Sequence, residues 1–135
     1  MPKVFVDTAA WIALLDADDG LHAATEQVWH QLLKQRTLLV TSDFVLLELA
    51  DAFANPGSRK QVIAFINDLW QSPAVRFLPL SRTLLDEGWA LYSQRFDKGW
   101  GLTDCTSFVV MTQEKITQAF TSDRHFEQAG FTKLL

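Results

Sequence analysis

The chain has 135 residues, of which 48% are hydrophobic and 21% charged, with a formal net charge of −4 at pH 7. That size and balance suit one compact core and exclude a chain disordered throughout. The acidic balance also excludes a grip on nucleic acid through overall charge alone; such a role would need a local basic patch, a partner chain or a metal ion.

"KVFVD", Lys3 to Asp7, reads as a strand ending in Asp7, and "TAAWIALLD" follows as a helix broken by "DADDG". Between Leu21 and Arg36 apolar residues recur at helical spacing (Leu21, Ala24, Val28, Leu32). "TLLVTS" is a second strand, and Ser42 or Asp43 caps the helix "FVLLELADAF". "NPGS" is a turn from which Ser58 is expected to cap a helix with Val62, Phe65, Ile66 and Leu69 inside. "AVRFLPL" is a third strand, and Ser81 opens a helix reaching about Phe96. After the loop "DKGWGL", Thr103 is expected to cap a helix from about Asp104 to Lys115. "TQAFTS" is a fourth strand, "DRHFEQAG" a short turn or helical piece, and "FTKLL" an edge strand. Strands alternating with helices predict an α/β fold with a mostly parallel sheet, one domain over residues 1–135.

No apolar run approaches the roughly 20 residues needed to span a bilayer, so no membrane role is expected. The opening stretch carries Asp7 where a signal peptide needs its apolar core, which reads as a cytoplasmic chain. A single cysteine, Cys105, allows no internal disulfide and fits a reducing compartment.

The acids are the chemistry-bearing residues. Asp7 ends the first strand, Asp104 opens a helix, and Asp123 follows the fourth strand. In a parallel sheet, strand C-termini and the following helix N-termini share one edge. Glu48 lies about one and a half turns into the helix after the second strand and can reach that edge. Phe44, Val45, Leu46, Leu47, Leu49, Ala50, Ala52 and Phe53 surround Glu48 and imply burial, which costs several kcal/mol unless a cation offsets the charge. Two offsets are open: a hard divalent ion such as Mg²⁺ or Mn²⁺ shared by the four carboxylates, or an arginine such as Arg82 or Arg124. Each aspartate also has a structural reading, as an Asx turn, a helix-dipole partner or a cap. Asp51 and Asp97 stand near enough to support the set from outside.

Other candidates are weaker. His22 and His30 lack zinc-like spacing, His125 reads as a hydrogen-bonding residue of its turn, and Cys105 as a small core residue. Arg95, Lys98 and Arg124 lie near the acids and could meet phosphates, whereas Arg59 and Lys60 read as solvated surface. Trp100 either packs its loop onto the body or stacks on a base.

"VFVDTAAWIALLD", "TSDFVLLELADAF", "GLTDCTSFVVM" and "AFTSDRHFEQAGF", in this order, resemble the PIN domain, and within it the VapC-type ribonuclease toxins of toxin–antitoxin pairs. The resemblance covers Val4 to Phe131 and implies a three-layer α/β/α sandwich with a Mg²⁺- or Mn²⁺-dependent endoribonuclease site. Carried onto this chain, the metal-binding and catalytic acids would be Asp7, Glu48, Asp104 and Asp123, with Thr8 in support; Ala9 stands where many members have Ser or Asn. The resemblance further implies RNA hydrolysis leaving a 5′-phosphate, a homodimer, and a small antitoxin laid across the groove. Trp11, Trp29, Trp70, Phe53 and Phe65 would supply that protein-binding surface. Two other readings stay in view: a PIN-type nuclease of RNA processing with no antitoxin, and a non-catalytic acidic signalling or interaction module.

Overall fold

The computed structural model describes residues 2–135. In chain order the elements are β1 (Lys3–Val6), α1 (Thr8–Leu15), α2 (His22–Lys34), β2 (Leu38–Ser42), α3 (Asp43–Ala52), α4 (Pro56–Gln71), β3 (Val75–Leu78), α5 (Arg82–Gln94), α6 (Leu102–Gln113), β4 (Gln118–Phe120), α7 (Arg124–Gln128) and β5 (Thr132–Lys133). All pairings are parallel, in the order β3-β2-β1-β4-β5.

Parallel strands buried on both faces need continuous apolar runs, and the central ones have them. Phe5, Val6, Leu39, Val40, Ala119 and Phe120 are fully buried. Right-handed crossovers then fix the layers. From β1 through β2 to β3 the chain steps one way across the sheet, which puts α1 to α4 on one face. From β3 back to β4 and on to β5 it steps the other way, which puts α5, α6 and α7 on the opposite face. The packing agrees: α1 touches α2, α3 and α4, while α6 touches α5 and α7. The result is the expected three-layer sandwich. No helix among the described residues is long and apolar enough to cross a membrane.

Helix ends are set by local chemistry. The Ser42 and Ser81 hydroxyls accept from the amides of Val45 and Leu84, as expected of N-caps. Two other expected caps move. Helix α4 starts at Pro56 behind Asn55, because proline suits the first helical position, and the Ser58 hydroxyl instead donates to the Phe53 carbonyl. Helix α6 starts at Leu102 behind Gly101, so Thr103 and Asp104 lie inside its first turn. At their C-termini, α2, α6 and α7 end alike. The amides of Thr37, Ile116 and Phe131 donate five residues back, to Leu32, Met111 and Phe126. The turning residues Arg36, Lys115 and Gly130 have φ of 57°, 56° and 96°. This left-handed turn feeds β2, β4 and β5.

Trp11, expected on a partner-facing surface, is 1% exposed: its ring packs edge-on against Trp29 and Phe65 and its indole N–H donates to Thr41. Trp70 does stand exposed. Gly88 lies so close to Thr106 that a Cβ there would sit 2.6 Å from the Thr106 methyl, which lets α5 press tightly on α6, the helix carrying Asp104.

Candidate metal site at the sheet edge

The strand order reverses between β1 and β4, and open parallel sheets bind ligands beyond the C-terminal ends of strands at such a point. Register does the rest. Val6 pairs with Phe120, so the next residues, Asp7 and Thr121, stand side by side where the sheet ends. The Thr121 hydroxyl donates to Asp7 Oδ2 at 2.9 Å and accepts from the Asp123 amide at 3.0 Å.

The four acids expected from the sequence come together. Asp7, Glu48, Asp104 and Asp123 line one open groove of about 630 Å³, with Thr8, Asp51 and His125 among the other lining residues. Three of the acids sit at helix N-termini. Asp7 precedes α1, Asp123 caps α7 by accepting from the His125 amide at 2.9 Å, and Asp104 in the first turn of α6 accepts from the Gly101 amide at 3.2 Å. The structural readings of Asp104 and Asp123 are thus correct as local descriptions, and they aim both carboxylates at the groove. Helix α3 also touches α6, bringing Glu48 towards Asp104.

Glu48 departs from expectation. It is exposed, as is Leu47, because this side of α3 looks onto the groove and not into the core. Among the described residues no arginine meets it: Arg82 pairs with Asp86, and Arg124 stands exposed outside the groove lining. Its partner is the Thr8 hydroxyl, which donates to Glu48 Oε1 at 2.6 Å. The buried charge is instead Asp7, only 4% exposed. Burial pushes its carboxyl up to about 7, helped by the charges of Asp104 and Glu48, while bonds from the Thr121 hydroxyl and Thr8 amide pull it down. Asp104 is also raised, chiefly by burial and further by the Asp123 charge, against the Gly101 amide and His125.

No lysine or arginine lines this groove among the described residues. Arg95 binds Asp97, so neither joins the acids, and Trp100 is buried, its N–H on Gln128 and its ring edge-on to Phe108. Cys105 is buried, and that burial pushes its thiol up, away from nucleophile chemistry. Two linking residues were not assigned to the site from sequence. Thr121 was foreshadowed only by its position two before Asp123, the spacing of a hydroxyl-closed turn. His125, expected merely to bond within its turn, does so across elements: its Nδ1 lies 3.2 Å from Asp104 and 3.4 Å from Asp123.

A hard divalent cation suits this donor set. One ligand atom each from Asp104, Asp123 and His125 lie within 4.8 Å of one another, and Asp7 is a buried carboxylate with no cationic side chain beside it. Fold and site therefore define a parallel α/β sandwich with an acidic groove at its switch point. The chain belongs to the PIN-domain family, whose model matches residues 4–132. It is 30% identical over 132 residues, 97% of each chain, to the 23S rRNA-specific endonuclease VapC20 of Mycobacterium tuberculosis. The crystal structure of that protein, described as a Sarcin-Ricin loop cleaving toxin, superposes with a TM-score of 0.86 at 26% identity over 96% of each chain. A chain of VapBC2 from Rickettsia felis, in a complex bound to a DNA fragment from their promoter, shares the fold with a TM-score of 0.72 at 14% identity, over 97% of this chain and 96% of that one.

Proposed function

We propose that this chain is a Mg²⁺- or Mn²⁺-dependent endoribonuclease acting as the toxin of a toxin–antitoxin pair. The observation that carries it is a set of four acids, drawn from four segments and left without a cationic side chain, at the switch point of a PIN fold. The likeness to VapC20 along the whole chain supports RNA as substrate.

Asp7 and Asp104 would hold the ion, with Asp123 and Glu48 completing its surroundings directly or through water. Bound there, the ion supplies Lewis-acid activation of water and stabilises charge on the phosphate. The residues supply position and proton traffic. The Thr8 hydroxyl fixes the Glu48 carboxylate, which orients the attacking water and accepts its proton. Thr121 sets the rotamer of Asp7, and His125 does the same for Asp104. Water oxygen bonds to phosphorus as the bond to O3′ breaks. The electron pair departs on O3′, which takes a proton from solvent, and the products are a 5′-phosphate and a 3′-hydroxyl.

On this reading the chain works in the cytoplasm as a single domain, forms a homodimer, and is held by a small antitoxin protein. An RNA cleavage assay, with 23S rRNA among the substrates, tests the activity. Wild type should cleave with Mg²⁺ or Mn²⁺ and stop in EDTA, and Asp104→Asn should be inactive. Cleavage in EDTA that survives Asp104→Asn would overturn the mechanism.

A further inference from the structure

Beside the acid groove lies a second cleft with the opposite chemistry. It is about 620 Å³, and Trp89, Tyr92, Arg95, Phe96, Lys98 and Gly101 are among the residues that line it. No acid among the described residues lines it, although the chain is acidic overall. The two linings share no residue but come close at Gly101, which lines the cleft while its amide donates to Asp104 of the groove.

The aromatic residues here are left outside the core. Trp89 is 56% exposed, Tyr92 42% and Phe96 91%. The Trp89 and Tyr92 rings stack at 5.5 Å with 24° between their planes, forming a small platform. Phe96 pairs with no other ring among the described residues. Arg95 is spent on Asp97 and on the Trp100 face, 4.9 Å away, which stiffens the cleft wall. Lys98 makes no ion pair among the described residues and is free to meet an anion.

We propose that this cleft binds unpaired nucleotides of the RNA substrate next to the scissile bond, with bases stacked on Trp89, Tyr92 and Phe96 and a phosphate on Lys98. Flat exposed rings beside a free cation match the two recurring parts of a single strand, base face and phosphate. Paired bases keep their faces inside the helix, so the cleft selects loops and single strands over duplex. The inference rests on the nuclease reading and adds to it the surface that selects the substrate. It also explains how an acidic protein holds RNA: the attraction is local and largely non-ionic.

The test measures binding in an Asp104→Asn background, which separates recognition from cleavage. The probes are an unstructured oligoribonucleotide of roughly 12 nucleotides and the same strand in a duplex. Trp89→Ala/Tyr92→Ala/Phe96→Ala, all at exposed positions, should weaken single-strand binding by about tenfold or more and duplex binding by less than about twofold. Lys98→Gln should weaken both probes by a similar small factor and flatten the salt dependence. If wild type cleaves RNA and the triple variant binds and cleaves alike, the cleft is overturned and the nuclease reading stands. If wild type neither binds nor cleaves RNA, both fall. If the triple variant turns a dimer into a monomer of unchanged affinity for the oligonucleotide, the face belongs to a second copy and the proposal is overturned.

Discussion

Helix α6 carries an acid near each end, and the two ends could hardly differ more. Asp104 stands at the C-terminal edge of the sheet among Asp7, Glu48 and Asp123, with no lysine or arginine in the groove. Glu114, just past the other end, is met by Arg76 and, at 3.9 Å, by Lys3. A carboxylate at a helix C-terminus faces an unfavourable dipole, and two cations offset it. Asp104 has the favourable dipole and still has its carboxyl raised, chiefly because it is taken out of water and further by the Asp123 charge. The contrast lies in the partners: Glu114 is met by two cationic side chains, and Asp104 by none from lysine or arginine. In the acid groove several carboxylates gather without lysine or arginine, which is the setting the proposed cation would neutralise.

The largest effect that could break this comparison concerns Asp7. Its carboxyl titrates at 3.8 when unperturbed and at about 7 in the folded, metal-free chain. Between those values the folded chain binds more protons than the unfolded one, so stability falls as pH rises through the window. At about 1.4 kcal/mol per pH unit the loss reaches at most about 4 kcal/mol. Urea unfolding in EDTA from pH 4 to pH 8 should show this slope. Asp7→Asn should flatten it and leave the metal-free protein more stable at pH 8. A flat wild-type profile would mean that Asp7 is not an uncompensated charge.

Activity comes next. Asp104→Asn should reduce cleavage by on the order of 100-fold or more, since losing even an outer partner of a metal ligand costs 10- to 100-fold. Thr8→Val removes the bond that fixes Glu48 and should cost about tenfold in kcat with little change in melting temperature, as the pair is exposed. Equal kcat for Thr8→Val and wild type would remove Glu48 from the proton-handling role. Smallest of all is the far end of the helix. Glu114→Gln should leave cleavage unchanged and cost at most about 1 kcal/mol, the usual worth of a partly exposed ion pair. An activity loss there would dissolve the distinction between the two ends.

What the sequence could and could not convey follows from range. Asp7, Asp104 and Asp123 were legible because strand ends and helix starts are local features, and one topological rule brings them to one edge. Ser42 and Ser81 were legible as caps for the same reason. The α6 start was misplaced by two residues, because Gly101 caps with its backbone and carries no side-chain signal. Glu48 was expected at that edge too, but buried, because its neighbours are apolar; that side of α3 instead overhangs the sheet edge and lies open to the groove. Thr121 and His125 could not be assigned, since their partners Asp7 and Asp104 depend on the β1–β4 register and the lie of α6 over the sheet.

That register also sets a clock. The bond between Thr121 and Asp7 closes a loop of 114 residues, and β1 cannot find β4 until nearly all intervening elements have been made. At about 5–20 residues per second, a ribosome delivers β4 roughly 6 to 23 seconds after β1. Through that interval Thr121 and Asp123 have not yet joined Asp7, and the four-acid groove is incomplete. On the proposed reading, a nascent chain short of β4 therefore lacks the paired Asp7 and Thr121 that complete the groove. Cleavage in a synchronised translation reaction should begin only once β4 has cleared the exit tunnel.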